Sequence, residues 1–396
     1  MPIGEAFEIN PKVSIKRGTD VPFISMDRLE PGRRDVDAVE TRSYSSGSKF
    51  EPGDTLMARI TPCLENGKIA RYLPKDEPMP AAGSTEFMVL RGRPGITKTE
   101  FAYYFAIDPT IHDLAVTLMT GTSGRQRVDV RAFSETQVRI PNLENQRAIS
   151  SVLGSLDDKI AANNHTLEII DETIQALWKH AVQTGSVNTV LDDVIAINPR
   201  TPIPKGTVVR KIEMKNLPEA GFSISEWEEH EVKGGSRYRN GDTLLARITP
   251  CFENGKCGFV DFLETDAVGT GSTEFIVMRP HPGIPPAAPY AVARSADFRA
   301  FATQTMTGTS GRQRVQARDL EAYETIWPNG EQLSNFGSRT TPLLNFSGEL
   351  RNESQVLAKT RDELLPLLMS GKISVREAGQ EAAAAGAPIP GEENEV

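Results

Sequence analysis

Between Asn142 and His180 the chain has no proline and one glycine, and its apolar residues fall at Ile149, Leu153, Leu156, Ile160, Leu167, Ile170, Ile174 and Leu177. The steps alternate between four and three, with one step of seven that passes over Asn163. This is a heptad seam carrying a polar residue, and it predicts a long helix that pairs with another helix. At ~1.5 Å per residue, ~38 residues make a helix of ~57 Å, too long to pack inside one small domain. A second seam runs through Leu343, Leu350, Leu357 and Leu364, every seven residues, with Phe346 and Leu367 at its other position and polar Glu353 and Thr360 between them. Thr341 is read as its N-cap and Pro342 as a residue of its first turn, with an irregular stretch from Leu333 to Thr341 ahead of it. Pro366 is expected to disturb its end. The Ala- and Gly-rich, then acidic, sequence after Val375 is expected to be disordered.

The segments before each helix have a different pattern. Short apolar runs at Leu56-Met57-Ala58, Phe87-Met88-Val89-Leu90, Leu244-Leu245-Ala246 and Phe275-Ile276-Val277-Met278 read as strands. They are bounded by turn signals at Pro52-Gly53-Asp54, Asn66-Gly67, Asn240-Gly241-Asp242 and Asn254-Gly255. Phe101 to Phe105 reads as the opening of a short helix. The whole arrangement occurs twice. Asp54 to Lys68 returns as Asp242 to Lys256 and Gly83 to Phe87 as Gly271 to Phe275, both 188 positions on, while Met119 to Val128 returns 187 positions on as Met306 to Val315. The fold expected is therefore α+β, with two similar mixed domains separated by two long antiparallel helices that form a coiled coil, related by a pseudo-twofold axis. The boundaries are 1–141 for the first domain, 142–184 for the central helix, 185–328 for the second domain, 329–375 for the C-terminal helix and 376–396 for the tail. A duplicated enzyme whose helices merely cap each core is the alternative architecture.

Composition is that of an ordinary globular protein: 38% hydrophobic and 24% charged over 396 residues, with a net charge of −9. That total argues against a general polyanion binder but not against a local basic patch. Three cysteines, Cys63, Cys251 and Cys257, have no zinc-site spacing and suit a reducing cytosol, each as a small buried residue. No run is long and apolar enough for a membrane span, so a cytoplasmic protein is expected.

Catalytic signals are sparse. None of the five histidines has a repeat counterpart. Walker, Rossmann, nucleophile-elbow and zincin motifs are absent. The carboxylate pairs Glu65/Glu86 and Glu253/Glu274 have the residue types for acid–base work, but acceptance of hydrogen bonds from a turn backbone is the preferred reading. The most suggestive stretch is Thr120-Gly121-Thr122-Ser123-Gly124-Arg125-Gln126-Arg127 and its copy Thr307 to Arg314, with Thr309, Ser310, Arg312, Gln313 and Arg314 as counterparts. Two glycines allow close backbone approach, hydroxyls suit phosphate oxygens, arginine pairs with guanine and glutamine with adenine. This reads as a nucleic-acid contact loop in preference to a tight turn with solvated arginines. Arg59 and Lys68, with Arg247 and Lys256, form a second candidate set, for which a purely structural strand–turn–strand is an equal alternative.

Several segments together resemble the specificity subunit of Type I restriction–modification systems. Glu144 to Ile149, Leu156-Asp157-Asp158-Lys159-Ile160, Asn163-Asn164 and Ala176 to Lys179 look like its central region. Arg361 to Ile373 looks like its C-terminal ending, and Gly53 to Leu56 with Gly241 to Leu244 fit its recognition domains. The resemblance implies two target recognition domains, each reading half of a bipartite site on double-stranded DNA, and a coiled coil that spaces them. It implies two modification (methyltransferase) subunits docked on the helices, restriction (motor–nuclease) subunits that could join them, and no catalysis by this chain. S-adenosylmethionine, and ATP and Mg for restriction, would bind the partners. The shared loop implies half-sites with common bases in inverted orientation. The rivals are a duplicated acid–base enzyme and a coiled-coil adaptor that does not touch DNA.

Overall fold

A computed structural model describes all residues except Ser123, Ser310 and 389–396. The chain divides into two compact units, one of residues 1–161 and 356–396, the other of 162–355. Each unit holds a mixed α+β domain and one stretch of each of two long helices, Leu143–Thr184 and Gly330–Ser370.

In the first unit a five-stranded sheet runs in the order Phe7–Ile9, Phe87–Gly92, Thr55–Ala58, Ile69–Tyr72, Asp35–Val36. Its middle strand, Thr55–Ala58, is buried at every position. Both its faces are covered, so its sequence is a continuous apolar run rather than an alternation. A four-stranded sheet, Glu40–Ser43, Asp20–Ile24, Ala81–Gly83, Ser48–Phe50, lies beside a separate small core of Ile24, Phe50, Tyr72 and Phe87. The second unit repeats this design with Ile195–Ile197, Phe275–Pro280, Thr243–Ala246 and Cys257–Phe259 in one sheet. Glu228–Glu231, Val208–Ile212, Gly269–Gly271 and Ser236–Tyr238 form the other. The repeated aspartates hold each design together. Asp54 accepts Arg91 Nε and Nη2 at 2.6 and 2.7 Å, and Asp242 accepts Arg279 at 2.7 and 2.6 Å. Charge-assisted bidentate pairs of this kind are the strong class of hydrogen bond.

In the second unit Asn163 Nδ2 donates to Glu353 Oε2 at 2.7 Å and Trp178 packs edge-on against Phe336 with ring centroids 5.1 Å apart, so the two helical stretches run antiparallel. The first unit buries Leu153, Leu156, Leu357 and Leu364 in one core. Two segments that carried the family resemblance meet here. Arg361 Nη1 donates to Asp157 Oδ1 at 2.7 Å, with side chains 5% and 2% exposed. Tyr104 OH donates to Asp157 Oδ2 at 2.8 Å, and Arg361 Nη1 also reaches the Gly32 carbonyl at 3.0 Å. Burial pushes the Asp157 carboxyl up, and the Arg361 guanidinium pulls it back.

The second helix departs from the sequence reading in three ways. It starts at Gly330, with Asn329 Oδ1 accepting Gln332 N at 3.0 Å, so Thr341 is not an N-cap and Pro342 lies inside the helix. The turn before the proline is held by hydroxyls, Thr340 Oγ1 to Phe336 O and Thr341 Oγ1 to Gly337 O, both at 2.9 Å, while Phe336 and Leu344 anchor it in the core. Pro366 is likewise tolerated, with the helix continuing to Ser370 and Ser370 Oγ donating to the Pro366 carbonyl at 2.7 Å. The seam also differs: Phe346 and Leu367 are exposed, and Ser347, Arg351 and Arg361 are buried in its place. An apolar count misses positions whose polar groups are internally bonded.

The predicted disorder is corrected for the described residues 376–388 as well. Val375–Ala384 is a helix with a capping box between Ser374 and Glu377, and Ala378 and Ala382 are buried in the first unit's core. Small alanines, good helix formers, let it lie close to that core. Residues 389–396 of the expected tail lie outside the described residues.

Candidate functional site

The repeated Thr-Gly-Thr-Ser-Gly-Arg-Gln-Arg stretch closes a hairpin in each unit. In the first, Met119–Thr120 pairs antiparallel with Arg127–Val128. Gly121 and Gly124 take φ of 126° and 81°, a region open to glycine. The hairpin docks on the neighbouring strand end through reciprocal bonds: Thr61 N donates to Gln126 O and Gln126 N to Thr61 Oγ1, both at 3.0 Å. In the second unit Thr249 N donates to Gln313 O and Gln313 N to Thr249 Oγ1, again at 3.0 Å. Ser123 and Ser310, expected contact residues, lie outside the described residues.

The two arginines of each loop have different roles. Arg127 Nε lies 2.9 Å from Glu86 Oε2 and its Nη2 2.7 Å from Glu86 Oε1. Arg314 repeats this on Glu274 at 3.0 and 2.8 Å. Arg59 Nε stands 3.4 Å from the same Glu86 carboxylate. The arginine hydrogen bonds hold Glu86 and Glu274 below the usual carboxylate range. The expectation that these glutamates serve a turn backbone is corrected: their acceptors serve guanidinium groups of the loop. Arg125 and Arg312 are exposed, and their guanidinium groups have no protein partner among the described residues. Thr122 and Thr309 are exposed beside them, and Gln126 and Gln313 are half-buried.

Lys68 and Lys256 are turned to the fold. Lys68 Nζ donates to the Met26 carbonyl and Lys256 Nζ to the Met214 carbonyl, each at 3.0 Å. Arg59 and Arg247 donate their backbone N–H to the Glu86 and Glu274 carbonyls and accept from Val128 and Val315. Glu65 and Glu253 are exposed. Cys63 and Cys251 are half-buried and free, and burial pushes the Cys257 thiol up to about 12, which keeps it unreactive. Among the described residues no group of three His, Cys, Asp or Glu side chains could hold a metal, and no helix is long and apolar enough to cross a membrane.

Two clefts flank the Ser84-Thr85-Glu86 turn of the first unit, and sequence reasoning found neither. One, of about 440 Å³, is lined by Lys12, Lys49 and Arg59. The other, of about 400 Å³, is lined by Phe23, Arg42, Tyr44, Ser45, Ser46 and Ser84. Thr85 borders both, next to the glutamate that clamps the loop. Most of these residues lie outside the repeated blocks, so the duplication did not flag them.

Residues 2–172 match the family model of the Type I restriction modification DNA specificity domain. The chain is 29% identical over 149 residues to the Type I restriction enzyme EcoAI specificity subunit of Escherichia coli and 28% identical over 149 residues to the EcoEI specificity subunit of the same organism. Each match takes in 37% of this chain and spans about a quarter of the relative, 25% of its length. The solved S subunit of a Type-I restriction-modification system from M. genitalium is alike in fold, with a TM-score of 0.50 at 13% identity over 93% of this chain and 95% of that one.

Proposed function

We infer, from the premise that this chain belongs to the family of Type I restriction–modification specificity subunits, that it is the sequence-reading DNA-binding subunit of such a complex. Each unit reads one half of a bipartite site. The long helices dock modification subunits, and restriction subunits join on them. The chemistry belongs to those partners, which carry S-adenosylmethionine and, for cleavage, ATP and Mg. The complex works in the cytoplasm.

The observation that carries this reading is the doubled loop. Arg127 and Arg314 spend their donors on Glu86 and Glu274 and so hold the hairpin, while Arg125 and Arg312 are exposed with no side-chain partner among the described residues. An exposed guanidinium on a braced, glycine-permitted hairpin suits a guanine edge or a phosphate. The acid–base alternative fares poorly on the same geometry. A carboxyl held low by an arginine stays ionised and does not supply a proton at neutral pH. The family premise and the open arginines favour DNA over a purely structural adaptor.

The test is the methylome of cells expressing the full chain with its cognate modification subunit. The expected result is methylated adenine in one two-part motif with an unspecified spacer, whose halves share bases in inverted orientation. Absence of any chain-dependent motif contradicts the reading. Purified chain that turns over a substrate without partners would replace it with the enzyme alternative.

A further inference from the structure

The two units share their loops but not their clefts, and this difference has a consistent register. In the first unit Val21 pairs with Arg42 and Asp20 with Ser43; in the second Val209 pairs with His230 and Val208 with Glu231, each 188 positions later. Gly47 and Gly235 match too, at φ of 119° and 101°, each facing the carbonyl of the matching Gly83 or Gly271. Positions can therefore be compared one by one. One wall of the cleft, Gly83 to Phe87, is identical to Gly271 to Phe275. The other is not: Phe23, Arg42, Ser43, Tyr44 and Ser45 become Lys211, His230, Glu231, Val232 and Lys233.

The unshared wall of the first unit is built to present a donor. Arg42 Cζ stands 4.1 Å over the Phe23 ring, which fixes the plane of the guanidinium. Its side chain remains 51% exposed and makes one Nη2 contact to Glu40 at 2.8 Å. Ser45 and Ser46 beside it are exposed. In the second unit the matching strand reads Glu228-Glu229-His230-Glu231, with the glutamates exposed. That wall has lost the guanidinium seated on an aromatic ring, since Arg42 is matched by His230 and Phe23 by Lys211. Thr85 lines the cleft, and the next residue, Glu86, clamps the loop.

We propose that Arg42, seated on Phe23 at the edge of this cleft, is a specificity-determining residue that reads a guanine present in the first unit's half-site and missing from the second's. The proposal rests on the DNA-recognition reading above. The loops supply the bases common to the two halves, and the clefts supply the difference. Guanine is the base named because its O6 and N7 accept two parallel bonds from one guanidinium. In the second unit His230 stands at the position of Arg42, and an imidazole lacks the forked pair of parallel donors that matches O6 and N7.

The experiment compares methylomes of cells expressing, with the cognate modification subunit, the full wild-type chain, Arg42→Glu, Arg125→Ala, and a chain whose residues 40–46 are exchanged for those of 228–234. Arg125→Ala identifies the half-site belonging to the first unit. The expected wild-type motif has a guanine at one position of that half only. Arg42→Glu should weaken discrimination at that position by about 10- to 100-fold and leave the shared bases intact. The exchanged chain should show the second half's base there. Should the exchanged chain fail to fold, the exposed single substitution still decides. Half-sites that are perfect inverted repeats, or an unchanged guanine in the Arg42→Glu methylome, overturn the proposal while sparing DNA recognition. A wild-type chain that directs no methylation removes both.

Discussion

Arg361→Met is expected to destabilise the first unit severely. The substitution keeps most of the side chain's bulk and deletes the guanidinium that Asp157 and the Gly32 carbonyl share. What remains is a carboxylate 2% exposed that still accepts a hydrogen bond from the Tyr104 hydroxyl. Removing one member of a buried ion pair costs about 3–5 kcal/mol, because the other charge is left desolvated. A domain has about 5–15 kcal/mol in total, so about a fifth or more of its stability is at stake. For a unit of this size each kcal/mol moves the midpoint by about 2–4 °C, giving a fall on the order of 6–20 °C. Differential scanning calorimetry of the full chain reads this directly. The paired control is Arg361→Met with Asp157→Leu, which removes both charges and should regain most of the loss. Two outcomes would refute the reasoning: a single variant within about 1 kcal/mol of wild type, or a double variant no more stable than the single.

The remaining predictions separate holding residues from contacting ones. Arg125→Ala should lower the salt slope of DNA binding by about one and keep the melting temperature, whereas Lys68→Met, which loses the bond to the Met26 carbonyl, should lower stability and keep the slope; titrations at several salt concentrations check both. Gly121→Ala forces a side chain onto φ of 126° with Arg125 O 3.1 Å from the new carbon, so binding at one half-site should fall while the fold persists, measured by gel shift and circular dichroism. The Glu86 clamp has a defined pH sign. Its folded pKa lies below the unfolded value, so its contribution is complete above about pH 4.5 and fades as pH falls through the lower folded value. DNA affinity should therefore show no Glu86-linked change from about pH 5 to 8, checked by anisotropy; a step in that window that vanishes in Glu86→Gln would contradict the assignment.

Much of this fold could be read from residue patterns, and the failures have physical causes. The central strands were legible because burial on both faces favours an unbroken apolar run, as at Leu56-Met57-Ala58. The first helix was legible because Ile149, Leu153, Leu156, Ile170 and Ile174 keep heptad spacing around Asn163. The second helix misled because Ser347, Arg351 and Arg361 occupy buried seam positions through internal bonds, and because Pro342 reads as a start when hydroxyls on the preceding turn let the helix run through it. The terminal helix was missed because Ala- and Gly-rich sequence resembles a linker until a core is there to receive Ala378 and Ala382. At the site, duplication singled out the loop but could not rank its arginines. The separation of roles depends on Glu86 and Arg127 meeting across 41 positions. The joint recurrence of both blocks was the one sequence signal of that contact.

The most direct test of the account is a footprint of the assembled complex on its methylated site, with the wild-type chain and with Arg125→Ala and Arg312→Ala separately. The account predicts two protected patches in the wild type, with the first variant losing one patch and the second losing the other. Loss of both patches in either variant, or full protection in both, would contradict the claim that each repeated loop reads its own half of the site.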